Sequence, residues 1–207
     1  MSKISPALYR SEDHTWMTPP ELINALLRFE GRTEFDLDPC CSVKNIPARR
    51  HYAHPEHDGL VLPWSGVPHE GWPSLVWMNS PYGRMLAKFM AKAAAEADRG
   101  ARIWMIVPAR TETIYQHAYG LTKAGFVVFM KKRVSFIRSV QSAGPGEDNN
   151  APFPTMLLYM GPDWAEKAVR WEMAPAWPGS LMIQATVERA RDLTQAHDDF
   201  YRVGIVA

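Results

Sequence analysis

Few features of this sequence would assign it to a secreted, membrane-bound or strongly charged class of protein. Its only cysteines, Cys40 and Cys41, are adjacent and therefore poorly placed for an ordinary disulfide, which favours a reducing, cytoplasmic setting. The N-terminal segment lacks the apolar core of a signal peptide, and no run approaches the roughly 18 apolar residues that a membrane helix needs. The formal net charge is +1, so a polyanion would have to bind to a local basic patch. We therefore expect a soluble, cytoplasmic protein.

The chain is long enough for one domain with a sizeable core, since 46% of its 207 residues are hydrophobic and 22% are charged. Hydrophobic runs and turn residues predict strands that alternate with helices, which is typical of a parallel sheet with crossover helices. The predicted strands span residues 33–37, 75–78, 102–107 and 126–130, and the predicted helices span residues 19–30, 85–98 and 111–124. We expect Thr18 to cap the first helix, with Glu21 completing the capping box.

The remaining segments do not continue this alternation. Residues 40–74, rich in Pro, His and Gly, are predicted to form mostly loops and short elements, and a segment of this length suggests a binding region. Residues 134–137 and 155–160 resemble strands on either side of a loop, so we expect an antiparallel pair at one edge of the sheet. A linker is predicted at residues 175–179, followed by a terminal helix over residues 181–197.

A polar turn follows the apolar run at residues 75–78. The turn has the sequence Asn79-Ser80-Pro81-Tyr82, and the carboxyl ends of strands are where open α/β sheets bind ligands. The Asn79 side-chain oxygen and the backbone carbonyl that follows it can each accept a hydrogen bond from an exocyclic amine, while Pro81 stiffens the turn. Tyr82 can then stack on the ring that carries the amine. The alternative is an ordinary proline turn after a buried strand.

The turn resembles the Asn-Pro-Pro-Tyr or Asp-Pro-Pro-Tyr motif of amino methyltransferases, and further motifs in the same order resemble the phage-type DNA N6-adenine methyltransferase (Dam) family. The motifs are Trp16-Met17-Thr18-Pro19-Pro20, Phe35-Asp36-Leu37-Asp38-Pro39-Cys40, Asp58-Gly59-Leu60 with Trp64, Asn79-Ser80-Pro81-Tyr82-Gly83, and Val107-Pro108-Ala109-Arg110-Thr111-Glu112-Thr113. The resemblance implies an α/β fold with a Rossmann-like methyltransferase sheet, S-adenosylmethionine as cofactor, and methylation of adenine N6 in double-stranded DNA. It also implies a methyltransferase domain at residues 1–162, a mostly helical extension at residues 163–207, and a phage or prophage origin.

The same resemblance assigns roles to single residues. It implies that Asn79, Ser80, Pro81 and Tyr82 are catalytic and hold the flipped base. The implied cofactor-binding residues are Trp16, Thr18, Pro19, Asp36, Asp38 and Asp58. The cofactor's sulfonium favours nearby carboxylates, which agrees with the aspartates in this set. For Asp36 and Asp38 the alternative is ordinary turn chemistry.

Two departures from the family pattern leave other functions open. Ser80 stands where adenine enzymes most often have Pro and cytosine-N4 enzymes commonly have Ser, so cytosine-N4 methylation is one alternative. The usual Gly-x-Gly after the first strand is absent, and few residues separate Asp38 from Asn79, which predicts a shortened cofactor half. The second alternative is therefore a non-catalytic DNA-binding protein with the same fold.

Basic residues late in the domain are candidate DNA contacts, because flipping a base out of a duplex costs a few kcal/mol that phosphate contacts offset. The candidates are Arg110, Lys131, Lys132, Arg133 and Arg138. For residues 131–133 the alternative is a solvated entry to a strand.

We predict no metal site. His51, His54 and His57 lie near the two cysteines in sequence, but their spacing fits no standard zinc pattern. Methyl transfer by the implied mechanism needs no metal. The DNA recognition site and the oligomeric state are left open by the sequence.

Overall fold

The computed structural model describes residues 16–65, 73–138 and 153–184, which form a two-stranded ribbon and a seven-stranded sheet with helices against it. The strands are β1 (Trp16–Met17), β2 (Phe35–Asp38), β3 (Ala48–His51), β4 (Leu75–Met78), β5 (Arg102–Pro108), β6 (Phe126–Phe129), β7 (Ile137–Arg138), β8 (Thr155–Met160) and β9 (Leu181–Gln184). The helices are α1 (Pro20–Glu30), α2 (Arg84–Ala97) and α3 (Trp164–Met173), with a π-helical turn at Gln116–Leu121.

The large sheet is mixed, with strand order β3-β2-β4-β5-β8-β6-β9. Its centre is parallel, because β2 pairs in parallel with both β3 and β4, and β4 pairs in parallel with β5. Strands β5 and β6 are each antiparallel to β8 and hence parallel to each other. This architecture is compatible with a Rossmann-like methyltransferase fold, which confirms the predicted fold class.

The strand order creates a switch point between β2 and β4. The chain passes from β2 to β3 on one side, then crosses back to β4 on the other side. Ligands of open α/β sheets bind outside the carboxyl ends of the strands at such a point. The fold therefore brings the end of β2, at Asp38, close to the turn that begins at Asn79.

The antiparallel pair predicted for residues 134–137 and 155–160 does not form. Ile137 pairs instead with Met17, in the ribbon of β1 and β7. Strand β8 lies inside the sheet, between β5 and β6, and all six of its residues are buried. A strand that is apolar on both faces is stable only in the interior of a sheet, with a strand on each side. Residues 134–137 are partly exposed and therefore do not pair with it.

Three helix predictions are corrected. Helix α1 begins close to the predicted position, but Thr18 does not cap it, since Pro19 is the N-cap residue and no side-chain capping bond forms. The predicted helix at residues 111–124 is reduced largely to the π-helical turn. The predicted terminal helix begins with β9, a strand, while residues 185–197 lie outside the described ranges.

Apolar side chains cover both faces of the sheet. On one face, residues of α1 and α3, including Trp171, pack with Trp77 and Trp104. On the other face, residues of α2 pack with Val76 and Met78. The alternation along β4 thus supplies both layers, and all four of its residues are buried.

The segments after residue 162 add to the same sheet and core. Ala168 and Trp171 of α3 are buried with the side chains of the central strands. Strand β9 pairs with β6. The division at residue 162 stays a prediction. Within the described ranges, no helix combines the length and apolar character needed to cross a membrane.

Candidate active site

Asn79 directly follows β4, and its amide group has a fixed orientation. The amide nitrogen Nδ2 donates to the Trp16 carbonyl at 2.5 Å and to Thr18 Oγ1 at 3.1 Å. A carbonyl oxygen only accepts hydrogen bonds, so the nitrogen must be the amide atom that faces Trp16. The Asn79 oxygen Oδ1 is turned away from these partners, and no donor among the described residues binds it. The ribbon of β1 and β7 therefore presents Oδ1 as an acceptor.

Within the turn, Ser80 and Tyr82 are more buried than Asn79, whereas Pro81 is exposed. Ser80 is 3% exposed and Tyr82 is 8% exposed, and neither hydroxyl has a hydrogen-bond partner among the described residues. Burial raises the pKa of Tyr82, so its hydroxyl stays protonated. Gly83, the N-cap residue of α2, has a φ of +86°, in the left-handed region that favours glycine.

The Tyr82 ring is enclosed by aromatic side chains. Its centroid lies 5.3 Å from that of Phe153 and 6.4 Å from that of Phe136, both in edge-to-face geometry. The Tyr82 ring, which is predicted to stack on the base, is thus covered by other aromatic side chains in this structure. A base that stacks on Tyr82 has to displace one of these contacts.

Asp38 ends β2 on the other side of the switch point. It lines a narrow cleft together with Asn79, Thr18 and Cys40, and the cleft has a volume of about 20 Å³. The Asp38 carboxylate is 4% exposed and accepts a hydrogen bond from the Cys40 amide at 3.0 Å. Burial raises the pKa of Asp38 to about 6, although the Cys40 amide and the charge of His51 oppose this shift. A buried carboxylate at this position suits a cationic ligand.

The structure does not bring Asp36 to the cleft. Both Asp36 oxygens already have partners, since one accepts from Arg32 at 2.9 Å and the other accepts from the Leu75 amide at 2.7 Å. Leu75 is the first residue of β4, so this contact lies at the opposite end of the strand from Asn79. Asp36 ties β2 to β4, and its predicted contact with a cofactor has no support from this geometry.

Asp58 also lies outside the cleft lining, but the next residue, Gly59, packs against Pro39, which lies between two cleft-lining residues in sequence. Its carboxylate accepts from the Leu60 amide at 2.8 Å. A Cβ on Gly59 would lie 2.0 Å from the carbonyl oxygen of Pro39, so only glycine allows this approach. Trp64, fully buried, donates from Nε1 to the Gly59 carbonyl at 2.7 Å. These separated sequence motifs therefore form one packed unit.

The basic residues lie at the same edge of the sheet as Asn79. Residues 131–133 follow the carboxyl end of β6 and are exposed, and Arg110 is exposed after the end of β5. Pro19 and residues 131–135, with Trp177, line a groove of about 470 Å³. Pro19 thus faces this groove rather than the cleft. Arg138 pairs through its backbone with Trp16, next to Asn79.

A family model described as DNA N-6-adenine-methyltransferase (Dam) matches residues 6–190. The chain belongs to this family. No curated protein matches the chain at a significant level. As a Dam-family enzyme the protein methylates adenine N6 in DNA, which confirms the predicted activity rather than the cytosine-N4 or non-catalytic alternatives. The family also implies a methyl donor, and DNA as the substrate.

Several residues of the candidate site were not identified from the sequence. Asn45 lines the cleft and donates to the Thr18 carbonyl at 3.4 Å, and Phe136 and Phe153 enclose Tyr82. Asn45 lies in the segment that follows the carboxyl end of β2, a strand of the switch point, which is the one signal that could have indicated it. The phenylalanines carry no local signal, because only the folded chain brings them to the turn.

Proposed function

We propose that the protein transfers the methyl group of S-adenosylmethionine to adenine N6 of double-stranded DNA, with Asn79 and the Ser80 carbonyl as acceptors for the target amine. The observation that carries the proposal is the orientation of the Asn79 amide. Its nitrogen is held by Trp16 and Thr18, which leaves Oδ1 to accept an N–H from the base. The acceptor is preorganised, so no reorganisation is needed when the amine arrives.

The residues around the cleft have the chemistry that the cofactor requires. The buried Asp38 carboxylate can bind the ammonium group or a ribose hydroxyl, and its charge favours the neighbouring sulfonium. The cleft volume of about 20 Å³ has room for little more than a water molecule, so the wall formed by Ser42, Val43 and Asn45 has to move outward for S-adenosylmethionine to enter. When bound, the cofactor supplies an electrophilic methyl group.

The residues of the turn act by positioning. Asn79 Oδ1 and the Ser80 carbonyl hold the two N–H groups of the amine, which directs its lone pair to the methyl group for in-line attack. The proton is lost afterward to solvent. The buried hydroxyls of Ser80 and Tyr82 have no partner among the described residues and are available to polar groups of the base. No covalent enzyme intermediate is required.

Duplex DNA would approach the edge of the sheet that carries Asn79. We assign the phosphate contacts to the exposed residues Arg110, Lys131, Lys132 and Arg133, which follow two strands that end at this edge. Arg138, which directly follows the ribbon residue that pairs with Met17, is a further candidate. These contacts would offset the few kcal/mol needed to flip the target adenine.

The test of the transfer reaction is methylation of unmethylated duplex DNA with S-adenosylmethionine, followed by nucleoside analysis by mass spectrometry. The wild type should yield N6-methyladenine. Asn79→Ala should lower kcat about 100-fold or more, because it removes an acceptor that acts in the transition state. The matched control Thr33→Ala changes an exposed residue before β2 and should keep full activity. N4-methylcytosine as the product, or full activity of Asn79→Ala, would refute the proposed roles.

Cofactor binding is tested separately by thermal unfolding. Saturating S-adenosylmethionine should raise the Tm of the wild type and of Asn79→Ala, since a ligand of the folded state stabilises it. Asp38→Asn should lose most of this increase. An unchanged Tm for the wild type would show that the donor or its site is wrong, independently of the result for the base-binding turn.

The phosphate contacts are tested by the salt dependence of DNA binding. Replacing Lys131 and Lys132 by Gln should weaken binding and reduce the slope of log K against log salt by about one for each lost contact. The control is Lys123→Gln. Lys123 forms an ion pair with Asp98 and precedes the amino end of β6, whereas Lys131 and Lys132 follow its carboxyl end. An equal loss in the control would indicate general electrostatics rather than a defined interface.

A further inference from the structure

Three side chains of different chemistry meet beside the cleft, at Asp38. Asp38, Cys41 and His51 each offer one ligand atom, and these atoms all lie within 4.8 Å of one another. Asp38 and Cys41 are buried, and His51 is half-buried. The group is not an acidic cluster, because it combines a carboxylate, a thiol and an imidazole.

The pairing of β2 with β3 holds the three residues in place. Asp38 and His51 are register partners in the parallel pair. The hydrogen bonds continue past the strand ends, since the Tyr52 amide donates to the Asp38 carbonyl at 2.9 Å and the Cys41 amide donates to the Tyr52 carbonyl at 3.0 Å. The backbone therefore fixes all three positions without the help of a ligand.

The hydrogen bonds around the group leave ligand atoms available. Nε2 of His51 lies 2.9 Å from the Ile46 carbonyl, which only accepts, so Nε2 donates to it and Nδ1 is the ring nitrogen left for a metal ion. An imidazole that donates its other N–H to a carbonyl is the usual arrangement of a metal-binding histidine. On Asp38, Oδ1 accepts from the Cys40 amide, and Oδ2 is left for a further partner.

We propose that Asp38, Cys41 and His51 form a binding site for a zinc-class divalent ion, with its fourth coordination position open to water. Sulfur, nitrogen and oxygen ligands together suit Zn²⁺ or Co²⁺, whereas Mg²⁺ and Ca²⁺ prefer oxygen ligands alone. The ion would join β2, the segment after it and β3 in one closed unit. The sequence spacing of the three histidines does not reveal this site, because only His51 belongs to it.

The ion would regulate the protein rather than take part in methyl transfer. Asp38 also lines the cleft, so a bound cation would withdraw part of its negative charge from a cationic ligand there. Zn²⁺ and the proposed cofactor are therefore expected to weaken each other's binding. Only this last step rests on the proposed function, because metal binding itself is measured without cofactor or DNA.

The experiment is titration of the purified full chain with Co²⁺, followed by displacement with Zn²⁺. One equivalent of Co²⁺ should produce a thiolate-to-cobalt charge-transfer band in the near ultraviolet, and Zn²⁺ should remove it. Cys41→Ser should abolish the band, whereas Cys40→Ser should retain it. His51→Gln keeps a side chain that can donate to the Ile46 carbonyl but lacks the imidazole, and it should weaken Zn²⁺ binding at least 10-fold.

Folding of each variant is checked by its thermal unfolding transition without metal. If Cys41→Ser does not fold, His51→Gln carries the test, since its side chain is partly exposed. The proposal is overturned if the wild type shows no charge-transfer band, if the band survives in Cys41→Ser, or if Cys40→Ser removes it. Equal Zn²⁺ affinity of His51→Gln and the wild type would overturn it as well.

Discussion

Thr18 shows how the role of a residue depends on what the fold places beside it. Its type and its position before Pro19 are typical of a helix cap, yet its hydroxyl accepts from Asn79 at 3.1 Å. The side chain is 1% exposed, so this contact is shielded from water. The segment that leads into α1 is therefore coupled to the turn at Asn79.

Thr18→Val tests this coupling, because valine keeps the shape of threonine and removes the acceptor. The loss of one hydrogen bond of about 1 kcal/mol should reduce kcat about 5-fold and leave the affinity for DNA unchanged. Steady-state kinetics measure both values. Thr33→Val, at an exposed position, is the control and should change neither. A normal kcat for Thr18→Val would mean that the Trp16 carbonyl alone orients Asn79.

Gly59 is a second residue whose role depends on its immediate neighbours in the fold. A Cβ at this position would lie 2.0 Å from the Pro39 carbonyl oxygen, which is backbone and cannot rotate away. We expect Gly59→Ala to lower the free energy of unfolding by about 2 kcal/mol or more, measured by urea denaturation. Gly31→Ala provides a comparison, since Gly31 has a φ of +67° but open space around it, and should cost about 1 kcal/mol. An equal or smaller effect at Gly59 would contradict the packed arrangement.

Among the elements, α2 anchors the segment that carries the Asp58 turn. Glu96 of α2 is fully buried and accepts hydrogen bonds from the Trp64 amide and from both the amide and the hydroxyl of Ser65, each at 3.0 Å. Lys92 and Arg99 donate to its other oxygen at 2.7 and 2.8 Å. Burial raises the pKa of Glu96, but these hydrogen bonds outweigh it and lower the pKa to about 2.

The depressed pKa makes Glu96 a source of acid sensitivity. The folded pKa of about 2 lies below the ordinary glutamate pKa of 4.5, so the stabilisation is complete above pH 4.5 and is lost as the pH falls toward 2. The difference corresponds to about 3 kcal/mol. Glu96→Gln should therefore be less stable than the wild type at pH 7 and should lose less stability on acidification, as measured by denaturation at several pH values. Glu34→Gln, in an exposed pair with Arg49, should behave like the wild type.

At the scale of the whole molecule, a buried ionic network joins the first and last helices that the structure describes. Lys167 of α3 donates to Glu30 of α1 at 2.5 Å, and both side chains are almost fully buried. Arg102 of β5 lies 3.7 Å from the same carboxylate, and Trp104 donates to its other oxygen at 2.7 Å. The network ties α3 to the sheet, although α3 lies beyond the predicted domain boundary.

Lys167→Met should lower the free energy of unfolding by about 3 kcal/mol, because it leaves a buried carboxylate with weaker partners. Adding Glu30→Gln should recover part of this loss, since the uncompensated charge is removed while an acceptor for Trp104 remains. Urea denaturation with a double-mutant cycle measures the coupling. Two separate unfolding transitions in the wild type would contradict the view that α3 and the sheet fold together.

Local patterns were sufficient for the central strands and for the turn at Asn79. The apolar run of β4 and the polar residues after it lie next to each other in sequence, so their relation does not depend on the rest of the chain. Pairing partners were harder to predict. The sequences of β8 and of the segment that ends in β7 are both typical of strands. Strand β8 enters the sheet because it is buried on both faces, whereas Ile137 pairs with Met17 outside that sheet.

The candidate site divides in the same way. Asp36 and Asp38 lie two residues apart on one strand and carry the same chemistry, yet only Asp38 reaches the switch point. One oxygen of Asp36 accepts from the amide of Leu75, the first residue of β4, and the other accepts from Arg32. Position along the strand, which sequence spacing does not reveal, separates these two roles.

The sequence by itself determined the family and the adenine-N6 activity and indicated the turn at Asn79 as a candidate site, because these depend on short motifs in a fixed order. Tertiary structure alone decided how the Asn79 amide is oriented, which aspartate lines the cleft, and that Asp38, Cys41 and His51 meet. The physical reason is that hydrogen bonds and ligand groups act over a few ångströms in space. Residues far apart in sequence come within that range only after the strands have paired.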